Sequence, residues 1–210
     1  EAVACGADMI ITHHPLIFQA LKSVTDETSI GRSIQLLCRE GISAINAHTN
    51  LDCAPEGVNH RLAERLGLSH IEVIDPQGTD EQGRPWGLLR SGLVQVQSLE
   101  AFLSTVKKQL GCEGLRYVNQ TTVHKVAVGG GACAGALIDA KRAGCDTFVT
   151  ADVKYNQFWD AHDLGINLID AGHFQTENPV VSVLAEKIAA AFPELQVEIS
   201  KTHTDCMKYY

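Results

Sequence analysis

Short apolar runs alternate with helix-like runs along almost the whole chain, and this alternation restricts the fold more than any other feature. "DMIIT" (8–12), "ISAINA" (42–47), "LLRSGLVQV" (88–96), "LRYVNQ" (115–120), "KVAV" (125–128), "DTFVT" (146–150), "INLIDA" (166–171) and "QVEIS" (196–200) read as strands. Between them, 29–41, 56–67, 98–111, 129–144, 156–165 and 179–192 carry apolar residues at helical spacing. Ser98 is placed to cap one of these helices, Pro179 to open another, and Gly41 and Gly67 to close two more. The segment "DPQGTDEQGRP" (75–85) reads as a polar loop. Strands separated by helices require crossover connections. The expected fold is therefore α/β, with mainly parallel sheets covered by helices.

The pattern also repeats. "AVACGADMIITHH" (2–14) aligns with "AKRAGCDTFVTAD" (140–152), with Ala, Gly, Asp and Thr in register. "GISAINAHTNLD" (41–52) is echoed by "GINLIDAGHFQTE" (165–177). Two related α/β lobes are expected: 1–67 as the first, 125–210 as the second, and 68–124 as a connecting β-α-β segment. The chain opens on Glu1 inside the helix-like "EAVACGAD", so a strand is expected ahead of it.

In open α/β sheets, ligands bind beyond the carboxyl ends of the strands. The strand at 8–12 leaves His13 and His14 there. The strand at 42–47 leaves His48 and, four residues on, Asp52. The strand at 166–171 leaves His173 and, four residues on, Glu177. Imidazole and carboxylate together suit Zn, Fe or Mn rather than Ca or Mg alone. So many donors exceed the needs of one catalytic ion, and two ions sharing a carboxylate account for them better. Asp152 also ends a strand but has no histidine beside it in sequence, so it is expected to stay outside the metal site. His60, His70, His124 and His162 have no carboxylate at useful spacing and read as structural or surface residues, as does His203. The run Gly129–Gly131 is either a phosphate cradle or a tight strand-to-helix turn, with the turn favoured. Lys22, Lys154 and Tyr155 lie in loops where an anion could meet them.

The net charge of −8 and a pI near 5.5 argue against nucleic acid or an anionic membrane as the main partner. No apolar run reaches the length of a membrane span. Seven cysteines without CxxC spacing fit a reducing compartment, and the cytoplasm is expected.

The motifs "GADMIITHHPLIF", "NAHTNLDCAPEGVNHRLAERLGL", "VAVGGGACAG" and "VTADVKYNQFWDAHDLGINLIDAGHFQTE" resemble those of the Nif-three-like family. These are dinuclear metal centre proteins, often named GTP cyclohydrolase I type 2 homologues. The resemblance runs from residue 1 to about 200 and corresponds to a short form of the family, because 68–124 is too brief for the inserted domain of longer members. It implies His13, His14, Asp52, His173 and Glu177 as ligands of two divalent ions per chain, with Asp52 and Glu177 as shared carboxylates. His48 would stand beside them, either supporting a ligand from behind or acting as a catalytic proton donor. It further implies a metal-dependent hydrolase acting on a small molecule such as a nucleotide, in a ring of subunits, commonly a hexamer. The alternative is a metal-containing ring that binds or regulates without turnover. The family pattern has Gly where this chain has Ala151, which questions close backbone approach there.

Overall fold

A computed structural model describes residues 1–118 and 122–210. The chain divides into two compact units: residues 1–51 with 200–203, and residues 52–199 with 204–210.

The first unit is a helix-strand repeat. α1 (Ala2–Cys5) ends at Gly6 and leads into β1 (Met9–Thr12). α2 (Ser29–Glu40) starts where the Thr28 hydroxyl accepts from Gly31 N–H. It stops where Gly41 turns left-handed at φ 69°, a conformation that costs glycine little. β2 (Ser43–Asn46) then pairs parallel with β1. The chain leaves this unit along α3 (Thr49–Cys53).

The second unit contains α4 (Val58–Arg65), β3 (Ser69–Ile74), the short strands β4 (Gly78–Thr79) and β5 (Pro85–Trp86), β6 (Leu89–Gln97), α5 (Leu99–Leu110) and β7 (Arg116–Val118). It continues through β8 (Val123–Val128), a 3-10 turn at Ala134–Ala136, α6 (Leu137–Arg142), β9 (Thr147–Thr150), α7 (Tyr155–Leu164), β10 (Asn167–Asp170), α8 (His173–Glu177) and α9 (Pro179–Ala191). Its main sheet runs β3-β6-β8-β9-β10-β7.

Side chains alternate across this sheet. Val126, Val128, Val149 and Ile169 face one cluster with Leu62 of α4 and Phe102 and Val106 of α5. Ala127, Phe148 and Leu168 face the other, with Leu137 and Ala140 of α6 and Ala161 of α7. Burial on both faces explains why "KVAV", "DTFVT" and "INLIDA" lack polar alternation.

The α/β class stands, but the main sheet is mixed. β8-β9-β10 is parallel, while β3, β6 and β7 all pair antiparallel. Those three strands come from residues 68–124. β3 alternates Ile71 and Val73 with Ser69, His70 and Glu72, an edge-strand pattern that sequence reading passed over. The expected loop at 75–85 contains β4 and opens β5, which form a small hairpin. No strand forms at 196–200: the segment is largely exposed, and no strand is paired with it among the described residues. The expected strand at 115–120 is seen as β7, and its last two positions lie outside the described residues.

The internal sequence repeat coincides with matching backbone hydrogen bonds. Ser43 N–H donates to Asp8 O and Ala47 N–H to Thr12 O, each at 2.9 Å. Asn167 N–H donates to Asp146 O and Ala171 N–H to Thr150 O, again at 2.9 Å. Aligned residues thus make the same bonds in the same register. Among the described residues no helix is long and apolar enough to cross a membrane.

Candidate metal centre

In the first unit, β1 ends in a side-chain clasp. Thr12 Oγ1 donates to His14 O at 2.7 Å, and Asn46 Nδ2 donates to Thr12 Oγ1 at 2.6 Å. The chain is thereby turned so that His13 and His14 both leave the strand on the side where β2 releases His48. His13 Nδ1 lies 2.7 Å from Ala47 O. A carbonyl only accepts, so Nδ1 carries the proton and the lone pair of the neutral ring sits on Nε2, the form a metal requires. The rings of His13, His14 and His48 are 5.1–5.4 Å apart, and each offers a nitrogen within 4.8 Å of the others. His48, expected to stand beside the ligands, is as close as either neighbour.

In the second unit, the chain after β10 forms a short helix, α8. It places His173 and Glu177 on one face, with Nε2 and Oε1 3.0 Å apart. The other ring nitrogen, Nδ1, lies 2.7 Å from Asp152 Oδ2. Asp152, expected outside the metal site, is in none of the groups of possible ligands among the described residues, but it lies beside His173 in space although 21 residues away in sequence. In the internal alignment Asp152 occupies the place of His14, so each unit sets a strand-end side chain against the following histidine. Asp152 holds a left-handed φ of 51°, unusual for a residue with a side chain. The hydrogen bond to Glu177, opposed by burial and reinforced by Asp152, raises the His173 pKa to about 9 in the metal-free chain.

Asp52 lies on α3, only 8 % exposed, with a carboxylate oxygen within 4.8 Å of one from Glu177. Its helix is held from behind by Arg90, a fully buried guanidinium that sequence reading did not select. Arg90 Nη2 donates to Cys53 O at 3.0 Å and Ala54 O at 2.7 Å, and Nη1 to Gly87 O at 2.6 Å. The nearby Cys133 thiol is pushed up to about 12, by burial first and then by Asp52, Glu177 and Cys53. It stays protonated in the metal-free chain.

The glycine run is a turn. Gly129 N–H donates to Val149 O at 3.0 Å, Gly130 N–H to Asn59 Oδ1 at 2.6 Å and Gly131 N–H to Thr176 Oγ1 at 3.0 Å. All three amides have protein acceptors, which leaves none for a phosphate. The close approach is at Gly131 (φ 60°): a Cβ there would land on Glu177 Oε1 and come within 3.0 Å of His173 Nε2. Ala151 is buried and donates from its N–H to Gly131 O at 3.0 Å.

Among the described residues, no other histidine is in a group that could share an ion. His60 does have a carboxylate partner, Glu64 at i+4 and 3.3 Å, and His124 Nδ1 meets Val94 O. Lys22, Lys154 and Tyr155 are exposed. The residues present fit a metal ion. They supply nitrogen and oxygen donors, an orienting carboxylate behind His173, and a seat that only glycine leaves open.

A model of the Duf34/NIF3 (NGG1p interacting factor 3) family matches residues 1–206. The GTP cyclohydrolase 1 type 2 homolog of Nostoc sp. is 36% identical over 193 residues, covering 90% of this chain and 72% of that protein. The protein of the same name from Clostridium perfringens is 32% identical over 190 residues, with 90% and 72% covered. Among solved structures, a Bacillus cereus protein related to NIF3 superposes with TM-score 0.88 at 26% identity, covering 100% of this chain and 85% of its own. Staphylococcus aureus protein SA1388 matches with TM-score 0.88 at 28% identity, covering 100% and 82%.

Proposed function

The chain belongs to the Duf34/NIF3 family, and on that premise we propose that it binds two divalent metal ions and hydrolyses a nucleotide or a related phosphorylated small molecule. The proposed ligands are His13, His14, Asp52, His173 and Glu177, with Asp52 and Glu177 shared between the ions. The observation that carries the reading is His173: one ring nitrogen faces Glu177 at 3.0 Å while the other is held by Asp152 at 2.7 Å. A carboxylate behind a ligand histidine fixes its tautomer and raises its basicity toward a metal. Bound divalent ions would supply Lewis acidity and a nucleophile at neutral pH.

The chain's own residues would do the rest. Ala47 O keeps the His13 proton on Nδ1, so Nε2 is the atom that would hold a metal. Asp52 and Glu177 would balance the charge of the bound cations. His48, beside His13 and His14, would pass a proton to the nitrogen or oxygen that leaves. Curated relatives bear the name GTP cyclohydrolase 1 type 2 homolog, so GTP is the first substrate to test, with C–N bond hydrolysis and formate release as the chemistry. We further propose a homo-oligomeric ring, a hexamer by the family pattern.

Protein purified without chelator should contain about two divalent ions per chain. It should elute at several times 22.7 kDa and release formate from GTP. A folded protein that takes up no metal on supplementation refutes the reading. Two bound ions without turnover across a nucleotide panel would leave the metal centre and remove the hydrolase.

A further inference from the structure

We propose that Asn59 is a positioning residue for the metal centre: its carboxamide ties the backbone of Asp52 to the glycine turn on which Glu177 and His173 are seated. The inference rests on the metal reading above and adds to it the device that sets the spacing between Asp52 and α8, both in the second unit.

Asn59 lies in the first turn of α4 and is fully buried. Its Nδ2 donates to Leu88 O at 2.6 Å and, more weakly, to Asp52 O at 3.3 Å. Its Oδ1 accepts from Gly130 N–H at 2.6 Å. The next amide, Gly131 N–H, donates to Thr176 Oγ1 at 3.0 Å. The Thr176 hydroxyl in turn lies 2.9 Å from Gly172 O and 3.0 Å from His173 O. A largely buried chain of hydrogen bonds, carried across the Gly130–Gly131 peptide, therefore runs from Asp52 through Asn59 and Thr176 to the backbone of His173.

α3 and α8 are each five residues long. Helices this short do not hold themselves in place, because nucleation costs more than so few bonds return. Their orientation has to come from such tertiary bonds, which are strong where water is excluded. The side chain at 59 must accept from one amide and donate to two carbonyls at once. A carboxamide does both. A carboxylate of the same shape only accepts, and would set its charge against two carbonyl oxygens.

The test uses the full chain, stripped of metal and titrated with Co2+ against a competing chelator. Cobalt absorption and the melting temperature of the metal-free protein are recorded in parallel. Asn59→Asp is expected to bind cobalt about 10–100-fold more weakly, the range for loss of an outer-shell partner, with a changed visible spectrum. Thr176→Val, which keeps its shape but loses the hydroxyl, should move the same way and covers the case in which Asn59→Asp does not fold. Ser98→Ala removes the side chain that accepts from Ala101 N–H at the start of α5. It should lower the melting temperature and leave cobalt binding at the wild-type level. Wild-type cobalt affinity and spectrum in either frame variant overturn the inference, as does an equal loss in Ser98→Ala, which would mean that affinity follows global stability. Wild-type protein that takes up no cobalt refutes the metal reading itself, and this inference with it.

Discussion

Replacing Gly131 by alanine separates the site from the fold within one experiment. Gly131 sits at φ 60°, where a side chain costs about 1–2 kcal/mol. For a chain of this size each kcal/mol lowers the melting temperature by about 2–4 °C, so backbone strain alone predicts a fall of about 2–8 °C. Gly111 provides the control. It ends α5 at φ 70°, and a Cβ there meets nothing within 4 Å. Gly111→Ala should therefore show the same thermal loss and nothing else. At position 131 the new methyl also lands on Glu177 Oε1 and comes within 3.0 Å of His173 Nε2. Glu177 must move, and the helix that carries it has little freedom because Thr176 is tied to Gly131 N–H. Zinc affinity, measured by chelator competition at constant pH, should fall by about 10–100-fold or more in Gly131→Ala and stay at the wild-type value in Gly111→Ala. Wild-type zinc affinity in Gly131→Ala would mean that neither His173 nor Glu177 touches a metal. Equal losses in both variants would refute the steric argument.

Three further outcomes are expected. Asp152→Asn removes the carboxylate from His173 Nδ1 and should lower metal affinity about 10–100-fold while leaving the fold intact; unchanged affinity in a chelator titration would contradict this. Asp52→Asn and Glu177→Gln should each reduce metal content by elemental analysis and abolish any hydrolysis, while the metal-free Asp52→Asn protein melts no lower than wild type, because one of two neighbouring carboxylates has lost its charge. A disulfide-exchange reagent at neutral pH should modify three thiols quickly, those of the exposed Cys5, Cys38 and Cys206. Cys112 and Cys145, buried and each pushed up to about 11 chiefly by that burial, should react only once the chain is unfolded, and fast labelling of either would contradict its placement.

What the sequence determined by itself was periodic or local. The buried strands β8, β9 and β10 are continuous apolar runs because both faces of their sheet are covered, and such runs are legible without coordinates. The helix ends at Ser98, Gly41 and Pro179 were equally plain, since capping is chemistry between neighbours in sequence. The repeat was legible too, and the matching bonds from Ser43 to Asp8 and from Asn167 to Asp146 give it a structural counterpart. Strand direction was a different matter: β3, β6 and β7 turned out antiparallel because pairing partners are chosen across long loops, where side-chain period carries no information about direction. Asp152 was set aside because nothing near it in sequence could use a carboxylate, yet two adjacent parallel strands deliver it to His173. The turn at Gly129–Gly131 could have been a phosphate cradle until Asn59 and Thr176, far away along the chain, were seen to occupy its amides. A residue type announces which bonds it can make; which partner takes them is decided by tertiary packing, because a buried donor or acceptor must be satisfied by whatever the fold brings within about 3 Å.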